Sequence, residues 1–150
     1  MQKSLFVPAS FEAPSVLETE RFRLRMLSVD DVERDFEAVI ESRELLHSLG
    51  SSWPRDGFTI EENLADLTQH QQEFLDREAF AYTVVALDES RVLGCVYIDP
   101  TKRSNVEAEV SMWVRQSEYD QGLDEVLFQT VKEWVHSMWP FTAVAYPGRE

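Results

Sequence analysis

The chain has 150 residues, 43% of them hydrophobic, and a formal net charge of −14 from 28 acidic against 14 basic side chains. That length fits one domain spanning residues 1–150 with a core of its own, and no run approaches the ~20 apolar residues of a membrane-spanning helix. The acidic field repels nucleic-acid backbones and anionic lipid and favours cationic ligands, while the lone cysteine, Cys95, leaves no intrachain disulfide and suits a reducing, cytoplasmic compartment.

Residues 1–15, with Pro8 and Pro14, read as an extended lead-in and lack the apolar run of a signal peptide. Over residues 16–26, Phe22, Leu24 and Met26 alternate with Arg21, Arg23 and Arg25, the period of one strand with a basic face. Ser28 is placed to cap a helix whose apolar face carries Val32, Phe36, Val39 and Ile40 and which stops at Gly50. A loop bearing Trp53, Pro54 and Gly57 leads to a second capping pattern, Thr59 and Glu62, and to a helix with Ile60, Leu64, Leu67 and Phe74 in its apolar row.

Two strand-like runs, 80–87 and 91–98, are separated by Asp88, Glu89 and Ser90 and predict a hairpin. Residues 106–114 alternate again. Ala108, Val110, Met112 and Val114 point one way, and Glu107, Glu109, Ser111 and Trp113 the other. Gly122 opens a helix with Leu123, Val126, Leu127, Val131, Trp134, Val135 and Met138 on its apolar side, and 141–146 form a last strand. The order β-α-α-β-β-β-α-β predicts an α/β fold of the α+β kind, a mixed and mostly antiparallel sheet flanked by helices. Its final strand-helix-strand step is expected to be a right-handed crossover between parallel strands.

Leu17-Glu18-Thr19-Glu20-Arg21-Phe22-Arg23-Leu24-Arg25 resembles the opening strand of the GNAT superfamily of acyl-CoA-dependent N-acetyltransferases, in the branch that includes ribosomal-protein alanine acetyltransferases. Ala108-Glu109-Val110-Ser111-Met112-Trp113-Val114 resembles that branch's fourth strand, and the helix after Gly122 the one that follows it. The resemblance implies acetyl-CoA as acyl donor, with its pantetheine arm on the backbone of Met112, Trp113 and Val114 and its diphosphate on the amides around Gln121, Gly122 and Leu123. It also implies a small-molecule or peptide amine as acceptor, bordered by Trp53 and Phe58, whose alternative role is to cap the helix pair as core, and Glu109 as general base, with Glu107 and Glu118 as weaker options. The alternative for Glu107 and Glu109 is structural, facing solvent or paired with Arg21 or Arg23.

Two departures from the family pattern stand out. Aligned on Gly122, the diphosphate loop has Tyr119 where the family has Arg or Gln and Asp124 where it has Gly or Ala, so Asp120, Asp124 and Glu125 crowd an anion site and Asp124 could cap its own helix. The family also continues beyond its fifth strand with a further helix and two strands, and a homodimer would complete the sheet here. A second reading follows: a non-catalytic binding or dimerisation module of the same fold, without acetyl-CoA. No metal is expected, since His47, His70 and His136 lie in separate helices without ligand spacing.

Overall fold

The computed structural model describes residues 5–149. The run expected as one opening strand is two: β1 (Val16–Glu18) and β2 (Arg23–Met26) pair antiparallel, Leu17 opposite Leu24. Thr19 makes the turn. Its hydroxyl accepts the amides of Arg21 and Phe22, both at 3.1 Å, and its own amide donates to the Phe22 carbonyl at 2.9 Å. A Thr side chain that substitutes for backbone partners turns the chain without Gly or Pro, so alternation alone ran straight through it.

A short 3-10 turn (Val29–Asp31), capped by Ser28, leads into α1 (Val32–Glu41) and α2 (Arg43–Ser48), and Thr59 caps α3 (Ile60–Leu75). The buried faces match those expected in part, with Val39 and Leu67 buried as the spacing predicts. Ile40 and Leu64 are exposed, while Asp35, Ala38 and Val39 on α1 and Asn63 and Leu67 on α3 are buried. A polar pair replaces apolar residues in that row: Asn63 Nδ2 donates to Asp35 Oδ2 at 2.9 Å, so the helices dock through a hydrogen bond.

Strands β3 (Phe80–Val85), β4 (Val92–Asp99) and β5 (Ala108–Val114) follow as an antiparallel meander. After the short helix α4 (Gln116–Tyr119) and the long helix α5 (Leu123–Met138), β6 (Val144–Ala145) returns parallel to β5. The sheet order is β1-β2-β3-β4-β5-β6, the mixed and mostly antiparallel arrangement expected.

Each face of the sheet has its own core. Ala108, Val110, Met112 and Val114 pack with Leu123, Leu127, Val131, Trp134 and Val135 of α5, as the alternation predicts. The lead-in joins this core: Val7 is buried, and Arg77 fastens the segment by donating to the carbonyls of Phe11 (2.6 Å) and Pro8 (2.8 Å). On the opposite face Trp113, Cys95 and Ala81 pack beneath Ala38, Val39 and Leu67 of the helices. Cys95 is fully covered, and burial pushes its thiol well above the ordinary range, so it behaves as a small apolar residue.

Candidate functional site

Pairing between β5 and β6 covers only Ala108 with Val144 and Glu109 with Ala145. Beyond Glu109 the two segments part, and among the described residues the β5 edge from Val110 to Val114 has no strand partner on that side. A cavity of about 730 Å³ opens there and runs over the sheet to the underside of α1 and α3. At its mouth are Met112, Val114, Tyr119, Asp124 and Arg149; at its inner end are Asp35, Asn63, His70, Cys95 and Tyr97. Leu45, Leu46, Leu49, Trp53 and Trp113 form an apolar wall between them.

Cross-strand register sets the floor. Cys95 lies opposite Trp113, Tyr97 opposite Ser111 and Asp99 opposite Glu109, so these side chains share the face beneath the helices. The Trp113 indole Nε1 donates to the Tyr97 hydroxyl at 3.0 Å, which fixes both rings. Burial raises the Tyr97 phenol well above its usual range and pushes the Asp99 carboxyl to about 6; His70 opposes the latter shift, and Glu73 and Glu109 add to it. Asp35 is 4% exposed, and burial raises its carboxyl to about 6 despite the Asn63 hydrogen bond.

The mouth is held by an ion pair. Arg149 donates through both Nη atoms to the Asp124 carboxylate, each at 2.8 Å, and its Nη2 also donates to the Met112 carbonyl at 3.3 Å. Its guanidinium lies 5.2 Å from the centre of the Phe128 ring. Asp124 is therefore an ion-pair partner and not a cap of its own helix: Gly122, the N-cap in a left-handed conformation (φ 84°), receives no side-chain cap. The Gln121 and Gly122 amides donate back to Glu118 and Tyr119 carbonyls at 3.1 and 3.0 Å.

Of the residues picked from sequence, Met112, Trp113, Val114 and Trp53 meet in this cavity. Leu123 is buried in the α5 core, and Gln121 and Gly122 lie outside the lining. Phe58 does not border the cavity. It packs against Trp53 at 5.8 Å and faces a separate hollow of about 620 Å³ with Arg55 and Gln116. Glu109 shares the floor's face but lies past Ser111, beyond the cavity lining.

The structural alternative for the strand carboxylates holds in part: Glu107 is exposed to solvent, while Arg23 is taken up by other partners. Arg23 pairs with Glu18 and Glu89, and Arg25 with Asp31 and Glu89, because β3 and β4 separate these arginines from β5. Glu107 instead accepts the amides of Thr142 (2.7 Å) and Ala143 (3.2 Å) and so fastens the approach to β6, and Glu118 pairs with Arg91. Nothing in the sequence pattern singles out Asp35, Asn63, Tyr97 or Arg149 as site residues. An acid in a first helical turn reads as dipole compensation, and nothing local signals the partner Asn63, 28 residues away.

No protein-family model and no curated protein matches the chain by sequence. Solved structures do match it. The ribosomal-protein-S5-alanine acetyltransferase from Vibrio fischeri superposes with a TM-score of 0.65 at 20% identity, over 81% of this chain and 67% of that one. The fold is that of the GNAT acetyltransferases. The microcin C7 self-immunity acetyltransferase MccE, solved with acetyl-CoA and AMP, matches this GNAT-fold chain at TM-score 0.64 and 13% identity, over 83% of this chain and 69% of that one. The ribosomal L7/L12 α-N-protein acetyltransferase RimL, solved with coenzyme A, gives 0.64 and 15% over 81% and 68%. The chain thus spans about two thirds of the length of these structures. Among the described residues no cluster suited to a metal ion occurs, and no helix is long and apolar enough to cross a membrane.

Proposed function

We propose that the protein transfers an acetyl group from acetyl-CoA to an amine in the β5–β6 cavity. The observation that carries this reading is the cavity's course: it joins the unpartnered edge of β5 to a buried carboxyl under the helices, so donor and acceptor groups can meet over one floor. The residues present fit the cofactor's arm, because β6 pairs with β5 at Ala108 and Glu109 and leaves the backbone edge from Val110 to Val114 open to it. When bound, acetyl-CoA supplies the activated acyl group. The chain's part is to hold the arm along Met112, Trp113 and Val114 and keep water out with Trp53 and Trp113; Glu109, on the floor's face but outside the lining, takes the amine's proton through a bridging water. The loop of Gln121, Gly122 and Leu123 lies nearest the phosphates, and Arg149 supplies the cation that its Tyr119 and Asp124 lack. The ribosomal-protein acetyltransferases among the similar structures support an amine as acceptor class.

Titration calorimetry with acetyl-CoA tests the reading. Binding in the micromolar range, about −8 kcal/mol, is expected, and no heat at millimolar acetyl-CoA would leave a binding module of the same fold. One observation favours that rival: Arg149 and Asp124 hold the place where arm and phosphates would lie. The variant Asp124→Gly addresses it. Removing a carboxylate next to the phosphates, and freeing Arg149 to pair with them, should tighten acetyl-CoA binding about tenfold. An unchanged Kd would displace the phosphates from this corner.

A further inference from the structure

We propose that Asp35 and Asn63 form an anchor for the ammonium group of a small hydrophobic primary amine, with Trp53 and Trp113 beside it as the wall for the amine's body. This deepens the transferase reading by naming its acceptor, and it rests on that reading only for the transfer step, not for the binding.

Three features of the molecule lead to it. Asp35 occupies the buried face of α1, where the amphipathic pattern calls for an apolar side chain, yet it is 4% exposed and lines the cavity. Among the described residues its one side-chain hydrogen-bond partner is Asn63, a neutral donor that aims the carboxylate without balancing its charge. The nearby arginines are committed elsewhere: Arg25 and Arg34 pair with Asp31, and Arg149 pairs with Asp124 at the far end of the cavity.

The surroundings favour a cation. The titratable groups that face Asp35 are Asp31 from the preceding turn, Asp66 and His70 from α3, and Cys95 and Tyr97 from β4. Cys95 and Tyr97 are held neutral by burial, and Asp31 and Asp66 add negative potential. Trp53 and Trp113 line the same cavity with ring centres 6.0 Å apart, and aromatic rings attract an alkylammonium as well as covering its carbon skeleton. Leu45, Leu46 and Leu49 extend that apolar wall. A buried acid, a neutral orienting amide and a paired-indole wall match an ammonium carried on an apolar body.

The test is calorimetric titration of the chain, without acetyl-CoA, by 2-phenylethylamine and by 2-phenylethanol as its uncharged counterpart. The amine should bind at least about tenfold tighter than the alcohol, and Asp35→Asn should remove that preference at about pH 8. The carboxamide oxygen of the variant can still accept from Asn63, so a folded protein is expected, checked by a cooperative melt. With the unmodified chain, amine affinity should fall about tenfold between about pH 8 and pH 5, as the Asp35 carboxyl takes up its proton while the amine stays charged. His70→Gln should keep that profile; its loss would give the charge sensitivity to His70 and overturn the anchor. Equal binding of amine and alcohol, a folded Asp35→Asn variant with undiminished preference, or tighter binding of an alanyl tripeptide than of phenylethylamine would also overturn it. Should the variant not fold, the alcohol and pH comparisons decide on the unmodified chain. Acetyl-CoA binding without amine binding defeats this inference and spares the transferase reading; amine binding without acetyl-CoA binding does the reverse.

Discussion

Gly94→Ala is expected to abolish stable folding or to lower the melting temperature by more than about 10 °C. Gly94 lies in β4 opposite Val114, and a Cβ placed on it would stand 2.1 Å from the Trp113 carbonyl oxygen and 3.0 Å from the Val114 Cα. Both obstacles are backbone, so no side-chain rotation relieves them, and β4 and β5 would have to separate. The two strands carry Cys95, Tyr97, Trp113 and Met112, so separation would also open the cavity floor. Overpacking a core typically costs ~1–3 kcal/mol, and a clash with a central ladder exceeds that range. Thermal melts followed by circular dichroism check it. A variant melting within about 2 °C of the parent would show that the ladder shifts at little expense.

The second large effect concerns Arg115, at the end of β5. It is 4% exposed, and its guanidinium donates to the Val92 carbonyl (3.0 Å), to Glu37 (2.6 Å) and to Glu41 (2.8 and 3.1 Å). Glu41 in turn accepts the Ser117 amide and hydroxyl, both at 3.0 Å, so this cluster ties the end of α1 to the corner leading into α4. Breaking a buried pair costs ~3–5 kcal/mol. Glu37 and Glu41 are exposed and can rehydrate, so Arg115→Ala should cost roughly 2–4 kcal/mol.

The pH dependence follows from Glu41, whose carboxyl is held down from 4.5 to about 2, chiefly by the Arg115 hydrogen bonds. A carboxyl with a lowered value stabilises the fold fully above its unfolded value, and that contribution disappears as pH falls toward the folded one. Denaturant titrations should therefore show stability draining away between about pH 4.5 and pH 2, with a much flatter profile in Arg115→Ala. Parallel profiles for the two proteins would place the acid sensitivity elsewhere.

The contrast between β5 and α1 shows what was legible in the sequence. Alternation over Ala108, Val110, Met112 and Val114 identifies the strand, its two faces and the helix it packs on, because period two is a local property that the sheet only has to accept. Gly122 likewise marks the start of α5 correctly. On α1 the same reasoning points to Ile40 and passes over Asp35, since burial of a carboxyl depends on Asn63 from another helix. The mouth was half legible. The sequence shows acid crowding around Gly122, but the arginine that answers it arrives from 25 residues further along the chain. Trp53 and Phe58 look equivalent in one loop, yet the fold sends them to different hollows.

The four tryptophans divide evenly between the two faces of the sheet. Trp53 and Trp113 stand 6.0 Å apart in the cavity, and Trp134 and Trp139 stand 5.6 Å apart in the aromatic core under α5, nearly perpendicular at 81°. Each couple is close enough for its excited states to mix, so the molecule carries two separate optical reporters. Quenching by an occupant should dim the first couple alone, while the near-ultraviolet signal of the second should persist until the whole sheet comes apart.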